Sequence, residues 1–438
     1  MDVAAEVRLH WEALIAELGL TASGARVGAA PPREVVFPDG VALGRRRAGA
    51  LDALLSRLFA RAVATTAMTD PIALAAVGSF GRGAVALRSD IDVRLIVCGG
   101  PKNHEAASRV ADALLYPLWD AGLSVGHQVT SAGEALELAQ TDLATATSIL
   151  ALRVIGGDRA LVHELVDRAY LGLFSEGELG RFVERLEEEA VARHARFGGS
   201  LYLLEPEVKA GAGGLRDIDI ARWAARARYG ATALATTDQP AADAWAELVR
   251  LGVIVPREAH EIGRAEEFLW RVRNRLHAHA GRKSDRLTFD QQEAIAIELG
   301  YGRRDSSPPG TAAAVATDGG DSAEDPAPSS ASPEARAEAA ERLMQDYFGH
   351  ARVISRAREA LLLRAMPPRR RGRRVEVDLG GGLRLFDGQV TLDSEALSAD
   401  PALALRLYAA CIQKKARVLP FARDAIARAA ADAGWAER

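Results

Sequence analysis

Apolar positions along the chain fall into two regimes. Between residues 71 and 130, short runs rich in β-branched residues alternate with amphipathic stretches. IALAAVG (72–78), IDVRLIVC (91–98) and GLSVGHQVT (122–130) have the length and composition of buried strands, and AASRVADALLYPLWD (106–120) carries its apolar residues at helical spacing. This order predicts a mixed α/β core. From about Thr141 onward the spacing is almost wholly helical, as in EEFLWRVRNRLHAHAG and PEARAEAAERLMQDYFGHARVISRAREALLL. The exception is VEVDLGGGLRLFDGQVTL, whose alternation around glycines predicts a hairpin near 374–392. The expected fold class is α+β. An N-terminal helical or irregular extension covers 1–47, a small α/β head covers 48–165, and a mostly helical domain covers 166–438.

Composition changes this picture at one place. Residues 304–334, RDSSPPGTAAAVATDGGDSAEDPAPSSASPE, hold five prolines, six serines and no aromatic residue. Such a stretch buries too little apolar surface to offset its ordering entropy, so it is expected to be a disordered insertion within the helical domain. The whole chain of 438 residues is 48% hydrophobic and 26% charged, with a net charge of −4. That balance is typical of soluble globular proteins and argues against a dedicated nucleic-acid coat, which would be basic. Pro367 to Arg374, PPRRRGRR, packs five arginines into eight residues. Without interleaved aromatic residues it is read as a solvated loop. Cys98 and Cys411 are too few for a disulfide framework or a four-ligand zinc site. No apolar stretch is long enough to span a membrane and the N-terminus lacks a secretory pattern, so a cytoplasmic location is expected.

The segment with the most chemistry is VGSFGRGAVALRSDIDVRLIV (77–97). A buried strand runs into Gly78-Ser79 and a turn with Gly81, Arg82 and Gly83; Ser89-Asp90-Ile91-Asp92 then leads into the next strand. Side chains alternate along a strand, so Asp90, Asp92 and Arg94 share one face while Ile91, Val93 and Leu95 take the other. Paired hard-oxygen ligands on a rigid strand end suit Mg²⁺ shared with nucleotide phosphates, and Gly78-Ser79 offers close backbone N–H groups and a hydroxyl to those phosphates. A D-x-D alone is usually a solvated strand end. Its coupling to Gly-Ser across ten residues, between two apolar strands, favours function. The segment is neither a Rossmann fingerprint nor a P-loop.

That signature resembles the DNA polymerase β-type nucleotidyltransferase superfamily. Three further blocks, 118–158, 201–230 and 268–301, narrow the resemblance to the bacterial PII-protein uridylyltransferase family, the pattern EPEVKAGAGGLRD (205–217) most distinctively. The resemblance implies a polymerase β-like head that transfers UMP from UTP to a protein hydroxyl, a tyrosine of a PII-type nitrogen-signalling protein. It further implies that Asp90 and Asp92 hold two Mg²⁺ ions, that Gly78 and Ser79 seat the β- and γ-phosphates, and that Arg82 and Arg88 add positive charge. Lys209 and Arg216 either clamp phosphate and base or, with Asp217, belong to a packing loop.

The superfamily generally has a third carboxylate on a neighbouring strand, whereas GLSVGHQVT offers no acid; Asp120 and His127 are the candidates for that ligand or for a general base. Arg94, apolar in the family pattern, is expected to pair with Asp92 or touch phosphate. His277 and His279, two apart on a helix, face different ways and read as structural. Full-length family members continue into a phosphohydrolase domain, which needs a His-Asp dipeptide, and two glutamine-sensing domains; no His here precedes Asp, so these are expected to be lacking. The rival readings are an adenylyltransferase of the glutamine synthetase type and a silent nucleotide-binding regulator.

Overall fold

The computed structural model describes residues 4–5, 8–9, 40–66, 68–233, 244–302, 332–367, 376–386 and 388–430. The expected insertion up to 331, most of the N-terminal extension and the arginine run from 368 to 374 therefore lie outside the described residues. The chain forms two compact units, 1–366 and 367–438.

The first unit opens with α1 (Val41–Thr66), whose Leu51, Leu54, Leu55, Leu58 and Ala62 recur at helical spacing and are buried. A four-stranded mixed sheet follows, in the order β3 (Val125–Ser131), β2 (Ile91–Val97), β1 (Ile72–Ala76), β4 (Arg153–Gly157). β1 runs antiparallel to both β2 and β4, and β2 runs parallel to β3 with Asp92 opposite Gly126. The parallel pair needs a crossover, and α3 (Pro101–Asp120) supplies it; the tight β1–β2 connection holds only the single-turn α2 (Gly78–Gly81). Ile91, Val93, Leu95 and Val97 pack with Leu74, α1 and α3 on one side of the sheet. Ile96 enters a second core on the other side. Each fully buried Leu or Val there contributes about 1.5–3 kcal/mol of apolar burial, which locks the register and so the direction in which Asp92 points.

β4 departs from the helical expectation beyond Thr141. Its five residues follow α4 (Ala132–Thr141) and α5 (Leu143–Ile149), so the run LALRVIGG extends a helical pattern when read locally. Long-range contacts decide otherwise: Arg153 donates to both Asp52 carboxylate oxygens at 3.0 and 2.9 Å and to the carbonyls of Phe80 and Gly81 at 3.1 and 3.2 Å.

Helices α6 (Arg159–Leu171) and α7 (Leu179–Arg196) cover the second sheet face. The helical body is α8 (Leu215–Ala233), α9 (Ala244–Arg250), α10 (Pro256–Ala280), α11 (Phe289–Glu298) and α12 (Pro333–Ala365), packed around Trp270, Leu269, Leu276, Leu343 and Tyr347. Ser332 caps α12 by accepting from the Ala335 amide at 3.3 Å, so the end of the proline-rich stretch is already the entry to a helix. Head and body share this core: Ala84 and Ala86, from the segment before Asp90, belong to it.

In the second unit the glycine-punctuated alternation forms three antiparallel strands, β5 (Glu376–Gly380), β6 (Leu383–Phe386) and β7 (Gln389–Leu392), rather than a two-stranded hairpin. The two-residue β8 (Arg417–Val418) joins β7 in parallel, and α13 (Ser394–Ala399), α14 (Leu403–Lys414) and α15 (Pro420–Ala430) complete this unit around Val390, Leu403 and Leu407. No helix among the described residues is long and apolar enough to cross a membrane.

Candidate active site

At the start of β2, Asp90 and Asp92 project into a cleft of about 480 Å³ within the first unit, and Gly78 and Ser79 line the same cleft. Two glycines make room for Asp92. A Cβ on Gly78, whose φ is +61°, would stand 3.3 Å from Asp92 Oδ2, and one on Gly126 would stand 2.8 Å from Oδ1. Burial, and then the charge of Asp90, push the Asp92 carboxyl above its ordinary value. Asp90 is held below its own, chiefly by Lys283, whose ammonium lies 2.8 Å from its Oδ2. Two carboxylates that repel each other, one of them seated between two glycines, form a donor set suited to a hard divalent cation. Among the described residues no group of three or more His, Cys, Asp or Glu side chains converges on a metal position.

The opposite wall comes from the EPEVKAGAGGLRD block and α8. Lys209 and Arg216 line the cleft, together with Asp219, Arg222, Arg273 and Lys283. Burial, followed by the nearby Arg273 and Arg216, pulls the Lys209 ammonium down to about 8. Asp219 ties two arginines together, with Arg82 Nη2 at 2.7 Å on one oxygen and Arg216 Nη1 at 3.3 Å on the other. The cleft wall carries eight basic and five acidic side chains, an excess of positive charge that suits a polyanion.

Buried ion pairs hold both walls in place. Asp217, fully buried, accepts from Arg193 at 2.7 Å, His194 at 2.9 Å and the Gly213 amide at 2.8 Å, which fixes the glycine loop ahead of α8. The same loop is fastened to residues 285–287 by Val208 N–H to the Asp285 carbonyl at 2.7 Å and Leu287 N–H to the Pro206 carbonyl at 2.9 Å. On the head side, α10 grips the backbone before Asp90: the Leu87 amide donates to Asn274 Oδ1 at 3.2 Å and the Arg88 amide to His277 Nδ1 at 3.1 Å. An imidazole that accepts at Nδ1 is neutral with its proton on Nε2, which faces Asp285 Oδ1 at 3.2 Å. Burial keeps His277 below the usual imidazole range. His279 instead meets Glu298 at 2.8 Å, so the two histidines do separate structural work, as their spacing predicts.

Of the residues singled out from the sequence, Gly78, Ser79, Arg82, Asp90, Asp92, Lys209 and Arg216 come together in this cleft. Arg88 is not among its lining residues. His127 pairs with Val93, hence on the sheet face opposite Asp92, and packs against Trp119 with ring centroids 5.8 Å apart. Asp120 is exposed at the end of α3 and does not line the cleft. The strand position facing Asp92 is Gly126, so neither candidate supplies a third carboxylate. Arg94 shares the Asp92 face but forms no ion pair with it among the described residues; it is buried, lowered to about 10 by that burial, and its opposing charge is Asp142. Lys283, Asp219, Arg222 and Arg273 were not anticipated. Asp219 alone left a local trace, standing three residues after Arg216 on one helix face.

Residues 181–362, which contain the glycine loop, Lys209, Arg216 and α10, match the family model of the GlnD PII-uridylyltransferase. The chain thus carries a GlnD PII-uridylyltransferase domain. Curated relatives agree. The chain is 41% identical over 232 residues to the bifunctional uridylyltransferase/uridylyl-removing enzyme of Rhodospirillum rubrum, covering 53% of this chain and 23% of that protein. It is 41% identical over 231 residues to the enzyme of the same name from Bradyrhizobium sp. strain BTAi1, covering 52% and 23%. It is 33% identical over 372 residues to that of Phenylobacterium zucineum, covering 82% and 35%. The matched regions thus span about a quarter to a third of these relatives. The GlnD family and the names of its members are those of nucleotidyltransferase enzymes.

Proposed function

We propose that this chain is a uridylyltransferase with a polymerase β-like nucleotidyltransferase head, moving UMP from UTP to a tyrosine hydroxyl of a PII-type protein. One observation carries the reading: Asp90 and Asp92 face the Gly78-Ser79 turn across a cleft whose other wall, with Lys209 and Arg216, belongs to the family-matched domain. In the reaction an acceptor oxygen bonds to the α-phosphorus as the α–β phosphoanhydride breaks and pyrophosphate leaves. Asp90 and Asp92 are the residues that would hold Mg²⁺, which when bound neutralises phosphate charge and polarises the reacting oxygens. The Gly78-Ser79 turn seats the β- and γ-phosphates through its backbone N–H groups and hydroxyl, with Gly78 allowing the close approach. Lys209 and Arg216 balance the charge that develops on pyrophosphate, and Asp219 keeps Arg82 and Arg216 aimed into the cleft.

The test is transfer of label from α-labelled UTP or ATP, with Mg²⁺, to purified PII-type protein and to glutamine synthetase. UMP on the PII-type protein supports the proposal; AMP on glutamine synthetase would replace it with adenylylation, and nucleotide binding without transfer to either acceptor would make the chain a regulator. Gly126→Ala checks the cradle itself. Its methyl group displaces the Asp92 carboxylate, and a misplacement approaching 1 Å is expected to slow transfer roughly 10- to 100-fold while the melting temperature stays near wild type.

A further inference from the structure

The sheet has an open edge beside Asp92. β3 is its last strand among the described residues. Ile91 N–H donates to the Ser124 carbonyl at 2.9 Å and Ile91 pairs with Val125, which sets the phase of the parallel ladder. Gly126 and Gln128 therefore turn their main-chain groups toward β2, while Val125, His127 and Val129 turn theirs outward. The Trp119 indole N–H takes the outward Val125 carbonyl at 3.4 Å, and the main-chain groups of His127 and Val129 have no partner among the described residues. Such an edge is a template for an added strand.

Both faces of that edge suit one kind of guest. On the Asp92 face, Gly126 is exposed and carries no side chain, and apart from its chain neighbours a Cβ there would meet only the Asp92 carboxylate within 4 Å. A strand added to β3 lies two strand spacings from β2, about 10 Å, so a long hydroxyl-bearing side chain such as tyrosine reaches over Gly126 to that carboxylate. Gly78, which lines the cleft, flanks Asp92 Oδ2, and Gly126, outside the cleft lining, flanks Oδ1. An acceptor entering over Gly126 and a triphosphate in the cleft thus meet from opposite sides, as an in-line displacement requires. On the other face, the side chains before and after the hydroxyl residue meet the exposed Tyr116 and Trp119, packed edge-to-face at 5.6 Å, with Trp119 5.8 Å from the His127 ring. Resting on the nucleotidyl-transfer reading above, we infer that the acceptor protein docks by adding an extended segment to the β3 edge, its hydroxyl residue beside Gly126 and apolar neighbours on the Tyr116–Trp119 shelf.

The experiment measures UMP transfer by the full chain, with Mg²⁺ and UTP, to purified PII-type protein for the wild type, His127→Ala, His127→Pro and Trp119→Ala. The His127 N–H faces away from β2, so proline there takes a hydrogen bond from the docked strand and none from the sheet. His127→Pro is expected to raise the acceptor KM about tenfold above that of His127→Ala, and Trp119→Ala to raise it roughly three- to tenfold, with UTP affinity unchanged. Amide exchange of the wild type gives a second readout that needs no variant to fold. Adding PII-type protein beside a non-cleavable UTP analogue should slow exchange at His127 and Val129. Wild-type transfer with an acceptor KM that is the same in His127→Pro and His127→Ala, or exchange at His127 and Val129 that the acceptor leaves unchanged, overturns the docking alone. A wild type that moves no UMP to the PII-type protein overturns the transfer reading and this inference with it.

Discussion

Asp92→Asn is expected to reduce UMP transfer by roughly 10²- to 10³-fold, the several kcal/mol that a bound metal ion contributes to charge stabilisation in phosphoryl transfer. The substitution keeps the size of the side chain, so the space between Gly78 and Gly126 stays filled. It also removes one of two repelling charges, and the fold should therefore melt at or slightly above the wild-type temperature. Initial rates of label transfer, read beside a thermal unfolding curve, check both halves. A variant that transfers at the wild-type rate would remove Asp92 from the chemistry, and one that loses rate only by unfolding would make it structural.

Asp217→Ala should act in the opposite way, on stability. Asp217 has no solvent exposure, and its loss takes the buried counter-charge from Arg193, 4% exposed at its side chain and left with Glu189 and the Ala210 carbonyl, with Arg358 3.8 Å away as well. Breaking a buried ion network by deleting one partner typically destabilises by about 3–5 kcal/mol. The pH dependence has a definite sign. Burial pushes the Asp217 carboxyl up, but His194 and Arg193 outweigh it and hold the folded-state value below the ordinary one. Its stabilisation is therefore present above the unfolded carboxylate range near 4 and is lost as pH falls through the lower folded value. Urea unfolding at pH 7 should show the full gap between wild type and Asp217→Asn, and the gap should close as the acid limb is approached. A gap that widens in acid contradicts the ion-pair account.

How much of this was legible beforehand depended on sequence distance. The Gly78-Ser79 to Asp90-Asp92 spacing lies within one strand–turn–strand unit, so local alternation set both the pairing of the carboxylates and their face, and the β2 packing matches that alternation. Lys209 and Arg216 were visible as an Arg/Lys-bearing glycine loop, although local sequence does not show that Asp217 is spent on burial while Asp219 faces the cleft. Lys283 and Arg273 reach the cleft from about 190 residues away, through packing of α10 on the head, and no periodicity carries that information. β4 failed for the same reason: Arg153 finds its partners Asp52 and Phe80 at separations of 101 and 73 residues. Arg88, which the resemblance places near the phosphates, lies outside the cleft lining, and its backbone amide donates to His277.

The grip of Asn274 and His277 on the Leu87 and Arg88 amides bears on how this head can be reused. A main-chain amide is the same whatever residue carries it, so these two hydrogen bonds do not depend on which side chains stand at 87 and 88, provided proline is avoided, although the Leu87 side chain is itself buried. The restraint falls on the helical body instead. A head transplanted onto another scaffold would bring its carboxylates along and leave behind the two side chains that hold the segment leading to them, so the head and its helical body are a single inheritable part.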